Sequence, residues 1–455
     1  MKAKRLGKTQ NSKALHEEIL HLRSLDNYTN LVYLAIDYIT MFAIAAFAVA
    51  FFELREQWNL AWGWNIPVAA VAILLMGGVQ HRLAGLGHEA AHYALLKNRL
   101  ANDLVSDLFC MFPIYATTQQ YRLVHLAHHQ FTNDWERDPD LLNIGKSKLM
   151  DQFPMNRWQF IYNYYIRFFM PHVLLRYLWD IVYLSAFGKG ISPFEKDKHS
   201  NDQPNKVNVN LRWTSVLGLG YFFGLAFLLN YLNRIGAGAL VGLVPLTAFV
   251  IAGTITALLP EKAFFVSPLK SVYSVRTTNV LRLGYYTAFL TAFAGLRYYT
   301  GQNWGPYFLL LWVVPLVTSF AYFMVLRDVY QHANADDGKF TNSRVFFCDP
   351  FTWWAVFVYG QDMHIPHHLY PAVPHYNLLK LHRVLQERDP EYAEHVVECH
   401  GVLQNDMDKP SILDVMHTPT TESTPQTHPA QESSRRMHMN LNAAPTQEGS
   451  RSLAQ

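Results

Sequence analysis

Long apolar runs alternate with polar, charged stretches along the chain. A bilayer core of about 30 Å is crossed by roughly 20 mainly apolar residues in a helix. Six segments read as spans: 31–53, 63–83, 213–232, 236–259, 283–296 (the shortest) and 305–326. Three further apolar stretches, 104–118, 158–185 and 345–360, are interrupted by charge or proline. The second of these carries Arg167, Arg176 and Asp180, which predicts helices lying along the interface rather than crossing it. From about 404 onward Ser, Thr, Pro, Gln and Asn dominate, and such a segment buries too little apolar surface to offset chain entropy. The expected organisation is therefore a polar segment 1–30, a membrane domain 31–403 and an unfolded tail 404–455. The fold class is an all-α integral membrane protein with about six transmembrane helices.

Lysine and arginine set the direction of the spans. Lys2, Lys4, Arg5, Lys8 and Lys13 precede the first, and only Arg55 lies between the first and second. Arg234 stands alone between the third and fourth, whereas Lys262, Lys270, Arg276 and Arg282 fill the next connection. Rich and poor loops alternate, as they should if both termini are cytoplasmic. The basic N-terminal residues lack an apolar core, so they are not read as a cleavable signal peptide.

Composition sharpens this picture. The chain has 455 residues, 50% hydrophobic, 14% aromatic and only 16% charged, against about 25% charged in a soluble domain. A net charge of +3, with no basic cluster interleaved with aromatics, argues against nucleic acid. Three widely spaced cysteines, Cys110, Cys348 and Cys399, form neither a C-x-x-C site nor a disulfide framework.

Eight of the 21 histidines fall in three short patches. "HEAAH" holds His88 and His92, "HLAHH" holds His125, His128 and His129, and "HIPHH" holds His364, His367 and His368. Spacings of three and four residues place the members of each patch on one helix face. The first two patches lie between spans two and three and the last follows span six. The four spans between them are an even number, so all eight histidines reach one membrane face. One tetrahedral zinc takes four ligands, so eight imidazoles suit two metal ions. Imidazole serves iron, copper, zinc and nickel alike, and redox chemistry on a lipid favours iron.

"HEAAH" is also the H-E-x-x-H string of zinc proteases. A protease would leave six histidines unexplained, and no Asp-Gly ligand motif follows in a later span. Glu89 is instead a candidate for orienting a ligating imidazole through its other ring nitrogen. A metal transporter would carry ionisable residues along a path through its spans, which here are nearly free of them, Asp37 being the main exception.

With its trailing Asp-Pro-Asp, "QYRLVHLAHHQFTNDWERDPDL" (120–141) resembles the second histidine box of the membrane fatty acid desaturase superfamily. "HIPHHLYPAVPHYNLLKLHRVLQE" (364–387) resembles the third, and the likeness extends over about 80–390. The resemblance implies a helical membrane stem under a cytosolic cap that carries the boxes, with a non-heme centre of two iron ions at the join. It implies oxidation of an unactivated C–H in a fatty acyl chain by O2, with desaturation first and hydroxylation or alkene-forming decarboxylation as alternatives. The substrate would be carried as a lipid, an acyl-CoA or an acyl-carrier-protein ester. In the absence of a haem-binding or dinucleotide motif, electrons would come from a separate ferredoxin or cytochrome b5. The resemblance adds His332 as a ninth ligand, with Asp328 one turn earlier where one branch of the family has an amide. Asp138 and Asp362 join Glu89 and Asp328 as residues expected to support ligands directly or through water. Trp353 and Trp354 are expected along the acyl chain. His81 is read as a polar residue at a helix end, His375 and His382 as supporting residues. Six spans exceed the four common in that family, and the resemblance does not explain the additional pair, 213–259.

Overall fold

The computed structural model describes residues 13–134, 137–144, 154–186, 213–264, 267, 269–403 and 409–417. Five helical runs among these are long and apolar enough to cross a membrane: Thr29–Leu54, Trp62–Ala91, Val216–Arg234, Gly238–Leu258 and Gly305–His332. The protein is an integral membrane protein. The short fifth segment expected at 283–296 lies inside a 26-residue helix, Val275–Thr300, whose ends carry Arg276, Arg282 and Arg297.

Helix α1 (Thr29–Leu54) turns through 55–64 into α2 (Asn65–Ala91). At 1.5 Å per residue, the 27 residues of α2 reach about 40 Å, more than the bilayer core. Its final turns therefore project past the lipid, and they carry His88. Beyond α2 follow α3 (Arg99–Ser106) and α4 (Thr118–Gln130), the latter holding the second cluster. The additional pair, α5 (Trp213–Arg234) and α6 (Leu243–Leu258), packs with α7 (Val275–Thr300) around Leu225, Leu229, Leu232 and Ala294. The last span ends in α8 (Ala321–His332). At its start Tyr307 donates a hydrogen bond to Glu53 at the end of α1. The run thus begins beside the end of α1 and returns His332 to the end of the bundle that carries His88.

Tight approach inside the stem depends on glycine. A Cβ at Gly77 of α2 would lie 2.1 Å from Ser319 Oγ and 2.7 Å from the Phe320 backbone nitrogen, so α2 and the last span meet nearly backbone to backbone. On the outer faces Ile39, Phe42, Phe47, Phe227 and Leu258 are exposed, as side chains that face lipid should be.

The cap is built from the segments that follow the spans. Residues 157–169 and the helix Pro171–Ala186 bury Phe160, Tyr164, Phe168 and Tyr177 against Tyr330, Phe346 and Phe357. Their other side exposes Trp158, Ile166, Leu175 and Trp179, the amphipathic pattern of an interfacial segment. Strand β1 (Val345–Phe347) pairs in parallel with β2 (Glu398–His400). Helix α9 (His364–Leu369) carries the third cluster and α10 (Leu378–Arg388) packs beside it. The helix over 13–22 lays Ile19 and Leu22 on Leu378, Leu381 and Leu385, so the N-terminal segment lies at the histidine end.

Three expectations need correction. The stretch 409–417, assigned to an unfolded tail, contains α11 (Ile412–His417), whose Ile412 and Met416 are fully buried in the cap. Its side chains insert beside Phe160 and Tyr330, which a polar composition averaged over the tail conceals. The rest of the predicted tail, 404–408 and 418–455, lies outside the described residues. His81 is not at a helix end but well inside α2, where Nδ1 donates to the Ala355 carbonyl at 2.7 Å. The spans are also less free of ionisable groups than expected: Glu53, Glu89, Arg234, Arg327 and Asp328 lie in them, and Arg82 is buried with its Nε donating to Asp37 Oδ1 at 2.6 Å.

Candidate metal centre

Four chain segments deliver nine histidines to one place. His88 comes from the last turn of α2 and His92 from the residue that ends it. His125, His128 and His129 come from α4, His332 from the end of α8, and His364, His367 and His368 from α9. They sort into two groups able to hold an ion: His88, His92, His125, His129 and His367, then His128, His332, His364 and His368. Within each group the ligand atoms lie within 4.8 Å of one another. The groups adjoin, with His129 and His368 stacked at 4.3 Å between ring centroids.

The nitrogen spacing bears on what the groups can hold. His92 Nε2 lies 2.8 Å from His125 Nε2, which lies 3.0 Å from His129 Nε2, itself 3.0 Å from His367 Nε2. In the second group His364 Nε2 lies 2.9 Å from His332 Nε2 and 3.0 Å from His368 Nε2. Metal–imidazole bonds are about 2.1 Å, which puts two nitrogens at right angles around one ion about 3.0 Å apart.

Hydrogen bonding alone cannot satisfy these contacts. His332 Nδ1 must donate to the Asn342 carbonyl at 3.1 Å. Thr132 gives its hydroxyl proton to the His128 carbonyl at 2.8 Å and accepts from His368 Nδ1 at 3.2 Å. A neutral imidazole with a proton on Nδ1 presents a lone pair at Nε2. Two lone pairs thus face His364 Nε2, which has at most one proton to give. A cation among them resolves the conflict.

Electrostatics agree. Burial first, then crowding by neighbouring imidazoles, holds His125, His129, His364, His367 and His368 well below the usual histidine range. They are neutral and ready to ligate. His128 differs: burial opposes its charge, but Asp138 and then Asp140 outweigh that and hold it at about 9.

The supporting residues divide. Asp138 lies behind His128, with its oxygens 3.0 and 3.1 Å from His128 Nδ1. Backbone donors at Asn133 and Asp140 fix that carboxylate in turn. Glu89 also stands behind its neighbour, with Oε1 3.6 Å from His88 Nδ1 and Oε2 accepting from the His375 backbone at 2.9 Å. Asp328 lines the cavity beside the histidines but is paired with Arg327 at 2.5 Å. Asp362 falls outside the cluster: its carboxyl meets the Trp353 side chain, and burial pushes it up to about 7. Trp353 is half exposed and Trp354 is lodged against Gly78, and neither lines that cavity.

Four cavity residues, Asp140, Arg327, Gln331 and Gln361, escape a reading of the sequence. Asp140 reaches within 3.6 Å of His128 Nδ1, although the Asp-Pro-Asp string displays it. Gln361 brings Nε2 to 3.1 Å from His88 Nε2 while its Oε1 accepts from Gln331 at 3.1 Å. Two amides, Gln331 and Gln361, thus line the cavity, and neither stands at position 328.

Because Asp138 fixes the ring of His128, Asp138→Asn is expected to lower metal affinity or turnover about 10–100-fold. Metal titration of the purified variant checks this, and affinity equal to that of the parent would contradict it.

Two groups of histidines able to hold an ion stand at the end of a membrane-spanning helical stem, an arrangement that suits a membrane metalloenzyme. The sequence profile of the family described as fatty acid desaturase matches residues 62–260 and 249–400, and the chain belongs to that family. It is an oxidoreductase of the desaturase type. The chain is 29% identical over 278 residues to a dihydrorhizobitoxine desaturase of Bradyrhizobium elkanii, covering 61% of this chain and 71% of that protein. It is 29% identical over 161 residues to the Delta(5) fatty acid desaturase fat-4 of Caenorhabditis elegans, covering 33% of this chain and 35% of that protein.

Proposed function

We propose that the chain uses O2 and a pair of irons to introduce a double bond into a fatty acyl chain. The observation that carries this reading is the pair of histidine groups whose inward nitrogens cannot all be satisfied by one another. The ligands assigned are His88, His92, His125, His129 and His367 for one ion, and His128, His332, His364 and His368 for the other. When bound, the irons supply the redox capacity by which O2, two external electrons and two protons take two hydrogens from adjacent carbons and leave as two waters.

The chain's own part is positional. Asp138, Asn342 and Thr132 hold the outward nitrogens of His128, His332 and His368, so that each Nε2 faces inward. Gln361 and Asp328 give the cavity polar walls, while the stem keeps the centre next to the acyl phase of the bilayer. The acyl group is carried as a lipid, a CoA thioester or an acyl-carrier-protein ester, and a ferredoxin or cytochrome b5 supplies electrons. The lysine and arginine pattern of the loops supports a cytoplasmic side for the histidine end and both termini.

The test is lipid profiling of a host that makes the full chain together with a competent electron donor. New unsaturated acyl chains are expected, and they should be missing when the host makes His364→Ala instead. A hydroxylated lipid or a terminal alkene would overturn desaturation, and an unchanged profile would overturn acyl oxidation altogether.

A further inference from the structure

We infer that Arg122 is the positioning residue of the first ion site: from the helix of the second cluster it seats the end of the helix of the first. This rests on the metal-site reading proposed above.

Helix ends leave their last carbonyls without the regular helical partner, and at the end of α2 those carbonyls lie between His88 and His92, that of Ala90 accepting from the Tyr93 backbone in the turn at 3.0 Å. Arg122 Nε donates to the Ala91 carbonyl at 3.0 Å, and Nη2 to the Ala90 carbonyl at 2.8 Å. The rest of the guanidinium is engaged by Asp103, with Nη2 2.5 Å from Oδ1 and Nη1 3.0 Å from Oδ2. Asn102 adds a bond from its amide to the Ala90 carbonyl at 3.0 Å and another to Asp103 at 2.9 Å. Arg122, Asp103 and Asn102 are all buried. Such use of the fork requires the planar geometry of arginine, which the point charge of lysine does not reproduce.

The arrangement bears directly on the ion site. His92 follows the last helical residue of α2, and Tyr93 after it turns the chain with φ at 57°. The position of His92 therefore depends on what holds that turn. The Arg122 guanidinium lies 4.0 Å from the centroid of the Tyr93 ring, so it grips the turn from one side and the helix end from the other. On α4, Arg122 stands three and seven residues before His125 and His129, on the same face. One side chain thus sets the approach of two helices where His92 Nε2 comes 2.8 Å from His125 Nε2.

The consequence is asymmetric. The first group draws two ligands from the end of α2 and two from α4, whereas the second draws none from α2. Desolvation makes a buried ion pair a poor source of net stability, which is consistent with a role in geometry. Losing Arg122 should weaken one ion and spare the other.

The experiment uses the purified full chain in detergent, titrated with Co(II) and followed by its visible absorption, with thermal unfolding recorded in parallel. Arg122→Lys keeps the charge. The double variant Arg122→Met with Asp103→Asn removes both partners, so that no unpaired carboxylate stays buried. In both, one of the two ions should bind about 10–100-fold more weakly and the other as in the parent. Two ions bound as tightly as in the parent would overturn the inference, as would equal weakening of both, the mark of a merely structural loss. If the parent itself binds no pair of ions, the metal-site reading fails and takes the inference with it.

Discussion

His128→Ala is expected to bring turnover to background while leaving the chain folded, with metal lost from the second ion group. That group has four imidazoles and His128 is its only member from α4, so no neighbour on that helix can replace it. It is also the imidazole with the most elaborate support. Asp138 holds its Nδ1, and Asp138 is itself fixed by two backbone donors. The alanine variant leaves that carboxylate buried without its partner as well as removing a ligand. The loss should therefore exceed the ~10–100-fold expected when only an outer partner is changed. Product analysis in membranes with a donor present, beside metal content of the purified protein, checks both halves. Retained turnover with two ions bound would show that His128 is not a ligand.

Asp37→Ala should have the largest effect on stability, about 3–5 kcal/mol, the usual result of removing one member of a buried ion pair. Asp37 and Arg82 face each other inside the stem with side chains 2% and 8% exposed. Tyr359 closes the group: its hydroxyl donates to Asp37, accepts from Arg82 at 2.8 Å, and its ring lies 4.5 Å from the guanidinium. Three segments meet there, namely α1, α2 and the chain leading into the third histidine cluster. The cost lies in the stranded Arg82 charge rather than in the lost bond. The double variant Asp37→Ala with Arg82→Met is accordingly expected to recover much of the stability. Thermal unfolding in detergent of the parent, Asp37→Ala, Arg82→Met and the double variant gives the coupling energy, and Asp37→Ala as stable as the parent would refute a compensated charge.

What the sequence made legible follows from locality. An H-x-x-H-H cluster is complete within one helical turn, and a span within one apolar run, so both can be read without knowing what lies across from them. The even number of intervening spans expected from the sequence predicted one face for the clusters, and the structure brings the nine histidines together. Several partners that hold the stem and the site together are distant in sequence: Asp37 and Arg82 are 45 residues apart, Arg122 and Asp103 are 19, and Arg82 and Tyr359 are 277. No local pattern announces such pairs. Asp362 shows the opposite error, for closeness to His364 in sequence suggested a supporting role while the turn before α9 sends its carboxyl to Trp353. α11 was missed because six residues that bury Ile412 and Met416 carry little weight in a long polar segment.

Two irons held by the nine histidines, as proposed, should be found in the full chain when it is purified after growth in iron-sufficient medium, its metal content measured and its iron examined by Mössbauer spectroscopy. Close to two irons per chain, in nitrogen-rich sites that are both lost on chelation, is the predicted result. A single zinc per chain, or one iron with no second site that fills on titration, would contradict it.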